Sequence, residues 1–180
     1  MFKSGKTCID LTLKGHAGPV LSLARLFDGR LVSGSGDRTI RLWDLATGGC
    51  TAILRGHSKW VNGLTVLPDG SLASCSDDRT IRLWDPGTGV CTAVFNSDRY
   101  RLVSLTALPD GKLASVSGGE SIRFCHLAAD GRPTIADGRI EWSVTLAGLP
   151  DGLLALAALP DGRLVTGAFD GLIRLCNLTD

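Results

Sequence analysis

The sequence predicts an all-β fold made of repeated four-stranded antiparallel units, and three observations predict it. Trp43-Asp44 and Trp84-Asp85 stand 41 residues apart, and Gly15-His16 and Gly56-His57 repeat at the same interval. Asp28-Gly29 recurs in phase as Asp69-Gly70, Asp110-Gly111 and Asp151-Gly152, while Ile40-Arg41 recurs as Ile81-Arg82 and Ile122-Arg123. The segments between these marks are short apolar or alternating runs of strand length, and none has a helical period long enough to compete. At this period a chain of 180 residues holds four units.

The first full unit shows how each element arises. Val20 to Leu26 is a mixed apolar run that reads as the inner strand, and Asp28-Gly29 turns it. Glycine supplies the positive φ that such a turn needs between two β-favouring runs. Leu31 to Ser35 is a second strand, Gly36-Asp37-Arg38 a tight turn, and Thr39 to Asp44 a third strand with alternation of period two. After Ala46-Thr47-Gly48-Gly49 the run Cys50 to Leu54 is the outer strand. The units span 15–55, 56–96, 97–137 and 138–180, and residues 7–14 read as an additional outer strand ahead of the first.

The copies differ in quality. The second repeats the first closely, including the whole Asp-Arg-Thr-Ile-Arg-Leu-Trp-Asp run of 37–44 at 78–85. The third has Ser97-Asp98 in place of Gly-His, Gly119 in place of the turn aspartate and Cys125-His126 in place of Trp-Asp. The fourth brings its Ile173-Arg174 after 51 residues, with a ten-residue excess around the duplicated Leu149-Pro150-Asp151-Gly152 and Leu159-Pro160-Asp161-Gly162. That excess is compatible with an insertion in the fourth unit, with the remnant of a fifth, or with an unorthodox unit turned at 151–152, 161–162 and 170–171.

Composition narrows the function. A formal net charge of +1 supplies no summed field to draw the chain to nucleic acid or to a membrane surface. The N-terminus has no apolar signal core, and every apolar run breaks before the length needed to cross a bilayer as a helix. The expectation is a cytoplasmic protein, with the nucleus also open to it. Of six cysteines, Cys8, Cys50 and Cys91 hold matching places, and Cys125 and Cys176 stand where Trp43 and Trp84 stand. They read as reduced, buried core thiols, and without CxxC spacing no metal or cofactor is expected.

A Gly-His opening and a Trp-Asp close at this period resemble the WD-repeat β-propeller family, whose blades are four-stranded antiparallel sheets. The resemblance implies a hydrogen-bonded tetrad of His16, Ser33, Asp37 and Trp43, repeated as His57, Ser74, Asp78 and Trp84. An imidazole taken out of water needs both nitrogens partnered, and a carboxylate, a hydroxyl and an indole can complete that network. The same residue types also spell a nucleophilic triad. Against catalysis, the set occurs twice in equivalent units, neither serine lies in a nucleophile elbow, and no oxyanion-hole motif is present. No catalytic residue is assigned, and the third and fourth units are expected to open at lower free energy.

The resemblance also implies a role in protein–protein interaction, with a peptide or protein ligand held by the loops that join an outer strand to the next inner strand. Those loops carry Lys59, Trp60, Arg99, Tyr100, Arg101, Glu141 and Trp142, and Trp60, Arg101 and Trp142 fall at one position of successive copies. Clustered aromatic and arginine side chains suit a binding hot spot; the alternative is that Trp60 and Trp142 fill gaps between blades. Arg38, Arg41, Arg79 and Arg82 read as solvated strand and turn positions. Four blades leave two apolar faces to cover. A ring closed within one chain, an eight-bladed ring of two chains and a piece of a longer propeller are all compatible. The wedge of WD-type blades, made for larger rings, favours the homodimer. A repeat protein whose main property is self-assembly is the alternative function.

Overall fold

The computed structural model describes residues 11–97, 101–118, 121–128, 133–136, 139–142, 144–146 and 152–178. Among them the regular structure is entirely β. The alternating runs pair with their sequence neighbours, since an Asp-Gly turn leaves an antiparallel hairpin as the nearest partner. Strands β1 (Val20–Arg25), β2 (Leu31–Ser35), β3 (Thr39–Trp43) and β4 (Cys50–Arg55) form one antiparallel sheet in that order. Strands β5 (Val61–Val66), β6 (Leu72–Ser76), β7 (Thr80–Trp84) and β8 (Cys91–Asn96) repeat it.

The third sheet begins in the same way with β9 (Leu102–Ala107), β10 (Lys112–Ser117) and β11 (Ser121–His126). Its outer strand is then delayed. A small hairpin of β12 (Ile135–Ala136) and β13 (Arg139–Ile140) comes first, with β13 lying parallel to β8 at Asn96, so it extends the second sheet. Only afterwards does β14 (Val144–Leu146) pair with β11. The last sheet has three strands among the described residues, β15 (Leu153–Ala158), β16 (Leu164–Ala168) and β17 (Ile173–Cys176).

Register is common to all four sheets. Leu31 faces Trp43, Leu72 faces Trp84, Leu113 faces Cys125 and Leu164 faces Cys176 across the second and third strands. The turn between first and second strands is also the same. Gly29, Gly70, Gly111 and Gly162 hold φ of 93°, 86°, 81° and 86°. Each donates its N–H to the carbonyl three residues back, at 3.0, 2.9, 3.2 and 3.0 Å. Such φ values strain a residue with a Cβ.

These turns correct the fourth unit. Asp161-Gly162, not Asp151-Gly152, joins its first two strands, and Gly152 lies just ahead of β15. The ten-residue excess therefore sits in the third blade, between β11 and β14, where it makes the β12–β13 hairpin. The blade limits move accordingly: the third runs past 137 to β14, and the fourth starts near Gly152 and not at 138. The expected outer strand at 7–14 also changes. Residues 11–14 are in no strand, and 7–10 lie outside the described residues.

Three buried clusters lie between consecutive sheets. The first joins Val32, Ile40, Leu42 and Leu54 to Val61, Leu64, Leu72 and Trp84. The second joins Ala73, Cys75, Ile81, Leu83 and Phe95 to Leu102, Leu105, Leu113 and Cys125. The third joins Ala114, Val116, Ile122 and Phe124 to Leu153, Leu156 and Leu164. Each inner sheet therefore buries both faces, one against each neighbour, which is how stacked blades share a continuous core.

Candidate functional site

Two constellations stand out, one inside the blades and one on the surface at their loops. The inner one is built by the tight turn between second and third strands. Asp37 caps that turn, accepting from Thr39 Oγ1 at 2.6 Å and from the Thr39 N–H at 3.0 Å through Oδ1. Its other oxygen, Oδ2, lies 2.7 Å from His16 Nδ1 and accepts the Ala17 N–H at 3.0 Å. His16 Nε2 meets Ser33 Oγ at 2.7 Å, and Trp43 Nε1 donates to the same hydroxyl at 2.7 Å.

The second blade repeats each contact. His57 Nδ1 lies 2.8 Å from Asp78 Oδ2, His57 Nε2 lies 2.7 Å from Ser74 Oγ, and Trp84 Nε1 donates to Ser74 at 2.8 Å. Thr80 Oγ1 donates to Asp78 Oδ1 at 2.6 Å. The directions follow from donor chemistry. An indole N–H can only donate, so the serine oxygen accepts it and keeps a second lone pair and its own proton for the contact with Nε2. In both copies Nδ1 of the imidazole lies against the carboxylate and Nε2 against the serine hydroxyl.

Burial alone would raise the pKa of each aspartate. For Asp37 the hydrogen bonds from Thr39, Ala17 and His16 outweigh it, and for Asp78 those from His57, Thr80 and Ser58 do, so both stay well below the ordinary carboxylate range. A carboxylate with several donors is held ionised in this way. The network ties the segment entering each blade to its second and third strands. Thr39 and Thr80 belong to it too, and the repeated Asp-Arg-Thr triplet was their signal in the sequence.

Among the described residues of the third and fourth blades no such network forms. Ser115 stands where Ser33 and Ser74 stand, opposite Arg123, yet its buried Oγ has no hydrogen-bond partner. Thr166 Oγ1 in the fourth blade is likewise buried and unpartnered. An unpaired buried hydroxyl is a cost, where the intact copies gain a hydrogen bond.

The arginines divide by position. Arg38 and Arg79 are exposed at the tight turns, with φ of 70° and 67°. Arg41 and Arg82, expected to be solvated, are instead half-buried. The Arg41 guanidinium lies 6.0 Å from the centroid of Trp43, and a Cβ at Gly56 would come within 2.8 Å of Arg82 Nη1 and 3.1 Å of the Trp84 ring. The long side chain covers the indole of its own strand, which explains the glycine before each histidine. Cys50, expected to be buried, is exposed, because its strand position points out toward Arg41 Nη1 at 4.0 Å. Cys75 and Cys125 are buried, and burial pushes the Cys125 thiol up to about 12.

On the surface, the loop before β5 carries Lys59 and Trp60. Trp60 is 51% exposed and rests its ring on Gly36 of the preceding blade. Beside it Lys59, Asp77, Arg79 and Arg101 line an open cavity of about 330 Å³. Asp77 is held by Asn62, whose amide donates to it at 2.8 Å and to the Leu102 carbonyl of the next blade at 2.8 Å. Asp77 joined this surface without being singled out in the sequence, and Arg79, read there only as a solvated turn position, lines it too. Arg99 and Tyr100 lie outside the described residues.

Glu141 and Trp142 do not join it. Trp142 follows β13 and precedes an outer strand, and it packs half-buried against the cluster between the second and third blades. Glu141 is exposed on the same insertion, its N–H bonded to the Thr134 carbonyl at 3.0 Å. The residue that matches Pro19, Trp60 and Arg101 is Gly152. In each case the carbonyl ahead of the inner strand accepts an N–H from the tight-turn region: Gly36, Asp77, Gly118 and Phe169 donate at 2.9, 3.1, 3.0 and 3.0 Å.

Residues 7–44 and 48–85 match the family described as WD domain, G-beta repeat. One similar protein is Cell division control protein 4 of Saccharomyces cerevisiae, 51% identical over 43 residues, a stretch covering 24% of this chain and 6% of that protein. Another is Protein tipD of Dictyostelium discoideum, 52% identical over 40 residues, covering 22% of this chain and 6% of that protein. The matched stretch thus spans a small fraction of each relative's length.

Proposed function

We propose that this chain, whose residues 7–44 and 48–85 match the WD-repeat family, is a non-enzymatic interaction platform of the cytoplasm that holds a peptide or protein at the loops leading into its inner strands. The observation that carries this reading is the exposed Trp60 beside the cavity of Lys59, Arg79 and Arg101. Three cations face one carboxylate, and that carboxylate is already engaged by Asn62. Such a surface favours an acidic segment, with the indole as an apolar anchor. The His-Ser-Asp sets act in this reading as clasps: each serine hydroxyl is spent between an imidazole and an indole.

Fluorescence polarisation with short labelled peptides tests it. Peptides rich in Asp and Glu should bind, Lys-rich ones should not, and affinity should fall with added salt. Arg101→Glu or Trp60→Ala should weaken binding about tenfold or more, the scale of a hot-spot residue. Equal binding by Trp60→Ala and the unaltered chain would contradict the reading. A second reading, a repeat protein that assembles into a ring with another copy of itself, is favoured by the exposed faces of the first and last sheets.

A further inference from the structure

In their inner three strands, the outward faces of the first and last sheets repeat the residue types of the interface between the first and second blades; Leu54 of the outer strand has no counterpart among the described residues of the last sheet. At the register positions that pack toward a following blade, the first blade has Val32, Gly34, Ile40 and Leu42, and the last has Val165, Gly167, Ile173 and Leu175. At those that pack toward a preceding blade, the second blade has Val61, Leu64, Leu72 and Trp84, and the first has Val20, Leu23, Leu31 and Trp43. The residue types agree at all of these positions.

Exposure shows that Val20, Leu23, Ile173 and Leu175 lack a partner, whereas Trp43 on the first face is already buried. Ile40 and Leu42 are 1% and 0% exposed, but their counterparts Ile173 and Leu175 are 80% and 52% exposed. Val61 and Leu64 are 0% and 6% exposed, but Val20 and Leu23 are 51% and 61% exposed. An open groove of about 390 Å³ lies on the first face, bordered by Val20, Leu23, Leu31 and Trp43. In the second blade the corresponding surface is filled by Ile40, Leu42 and Leu54 of its neighbour.

One contact is especially selective. A Cβ at Gly34 would come within 2.8 Å of Val61 Cγ1, so the valine seats directly on the glycine. Gly167 is the matching residue of the last sheet, and a Cβ there would meet nothing closer than the Ala155 Cβ at 3.7 Å. The glycine is present and its valine is not. That valine is Val20, at the far end of the chain.

We infer that a second copy of this chain covers these faces head to tail, with Ile173 and Leu175 of each chain entering the groove of the other and Val20 seated on Gly167. This deepens the ring-forming reading and rests on the propeller architecture stated above. A head-to-tail contact is heterologous, and it closes when two chains each offer one groove and one plug, here as a ring of eight blades. The match of both faces to an interface already formed within the chain is what selects a second copy as the occupant.

Sedimentation equilibrium on the full chain tests this. The expected mass is twice the 18.9 kDa of one chain. Leu23→Glu and Ile173→Lys alter side chains that are exposed in the single chain, so each variant should fold and each should sediment as one chain. An equimolar mixture of the two should regain the two-chain mass, since the mixed pair has one unaltered interface and one that sets Glu against Lys. A one-chain mass for the unaltered protein, assemblies larger than two, or a two-chain mass indifferent to either substitution would overturn the inference; so would a mixture that stays monomeric. Peptide binding by the monomeric Leu23→Glu variant is read separately, so loss of the loop-face reading and loss of the pairing are told apart.

Discussion

Trp84→Ala is expected to lower the free energy of unfolding by about 3–5 kcal/mol, the range for removing a large buried aromatic. Trp84 is 1% exposed and packs in the cluster shared by the first two blades. Its loss opens a cavity between blades and also removes the donor that fixes the Ser74 hydroxyl. Trp84→Phe separates the two effects. It keeps most of the ring and loses the N–H, so it should cost about 1–3 kcal/mol. Urea denaturation of both variants at one protein concentration measures this; fixing the concentration matters because association of folded chains adds apparent stability. Equal losses for Phe and Ala would mean that the hydrogen bond, and not the ring volume, dominates at this position.

Acid should unfold the protein through the clasp aspartates. Their folded pKa values lie below the unfolded value of about 3.9. Each therefore contributes stability that is fully present above that value and is lost as pH falls through the depressed folded value. Stability should be flat on this account above about pH 5 and decline below about pH 4. Asp78, whose side chain is 6% exposed, is the more buried of the two. Asp78→Asn should lower stability at pH 7 by about 1.5–3 kcal/mol, the range for hydrogen bonds to a charged group, and should make the acid decline shallower. Part of the slope remains, because Asp37 and the turn aspartates Asp85 and Asp161 are also depressed by hydrogen bonds. Denaturation midpoints from pH 2 to 7, compared between the two proteins, check the sign and the slope.

The repeat was legible because turn chemistry and burial act locally. Asp28-Gly29, Asp69-Gly70 and Asp110-Gly111 each turn a hairpin, and a carboxylate followed by a residue free to take positive φ specifies that turn with no help from distant chain. Counting by 41 failed across the third blade. The count placed Trp142 beside Trp60, whereas a hairpin at 135–140 displaces the register by ten residues and brings Gly152 to that place. A shorter interval would have caught this. The turn aspartate and the next turn lie nine residues apart at 28 and 37, 69 and 78, and again at 161 and 170, but nine residues after Asp151 comes Pro160.

Other features depended on contacts that no local pattern encodes. Arg41 and Arg82 sit at polar positions of an alternating strand, and only the nearby indole and glycine show that their stems are packing groups. Asp77 faces the cavity because Asn62 holds it, a contact between residues 15 apart. The equivalence of the two end faces was already present in the sequence, since Ile173 and Leu175 repeat Ile40 and Leu42. It became visible as an unfilled interface only when exposure was set beside register.

Histidine, serine, aspartate and tryptophan act as one clasp that fastens the entering segment to each well-formed blade. A double-mutant cycle of His57→Ala and Asp78→Asn, read by urea denaturation at pH 7, tests it most directly. His57→Ala alone should cost about 1–3 kcal/mol, through the Ser74 and Asp78 groups left unpaired. The double variant should fall short of the summed single losses by about 0.5–3 kcal/mol, the coupling of residues in one network. Losses that simply add, or a His57→Ala protein as stable as the unaltered one, would contradict the claim.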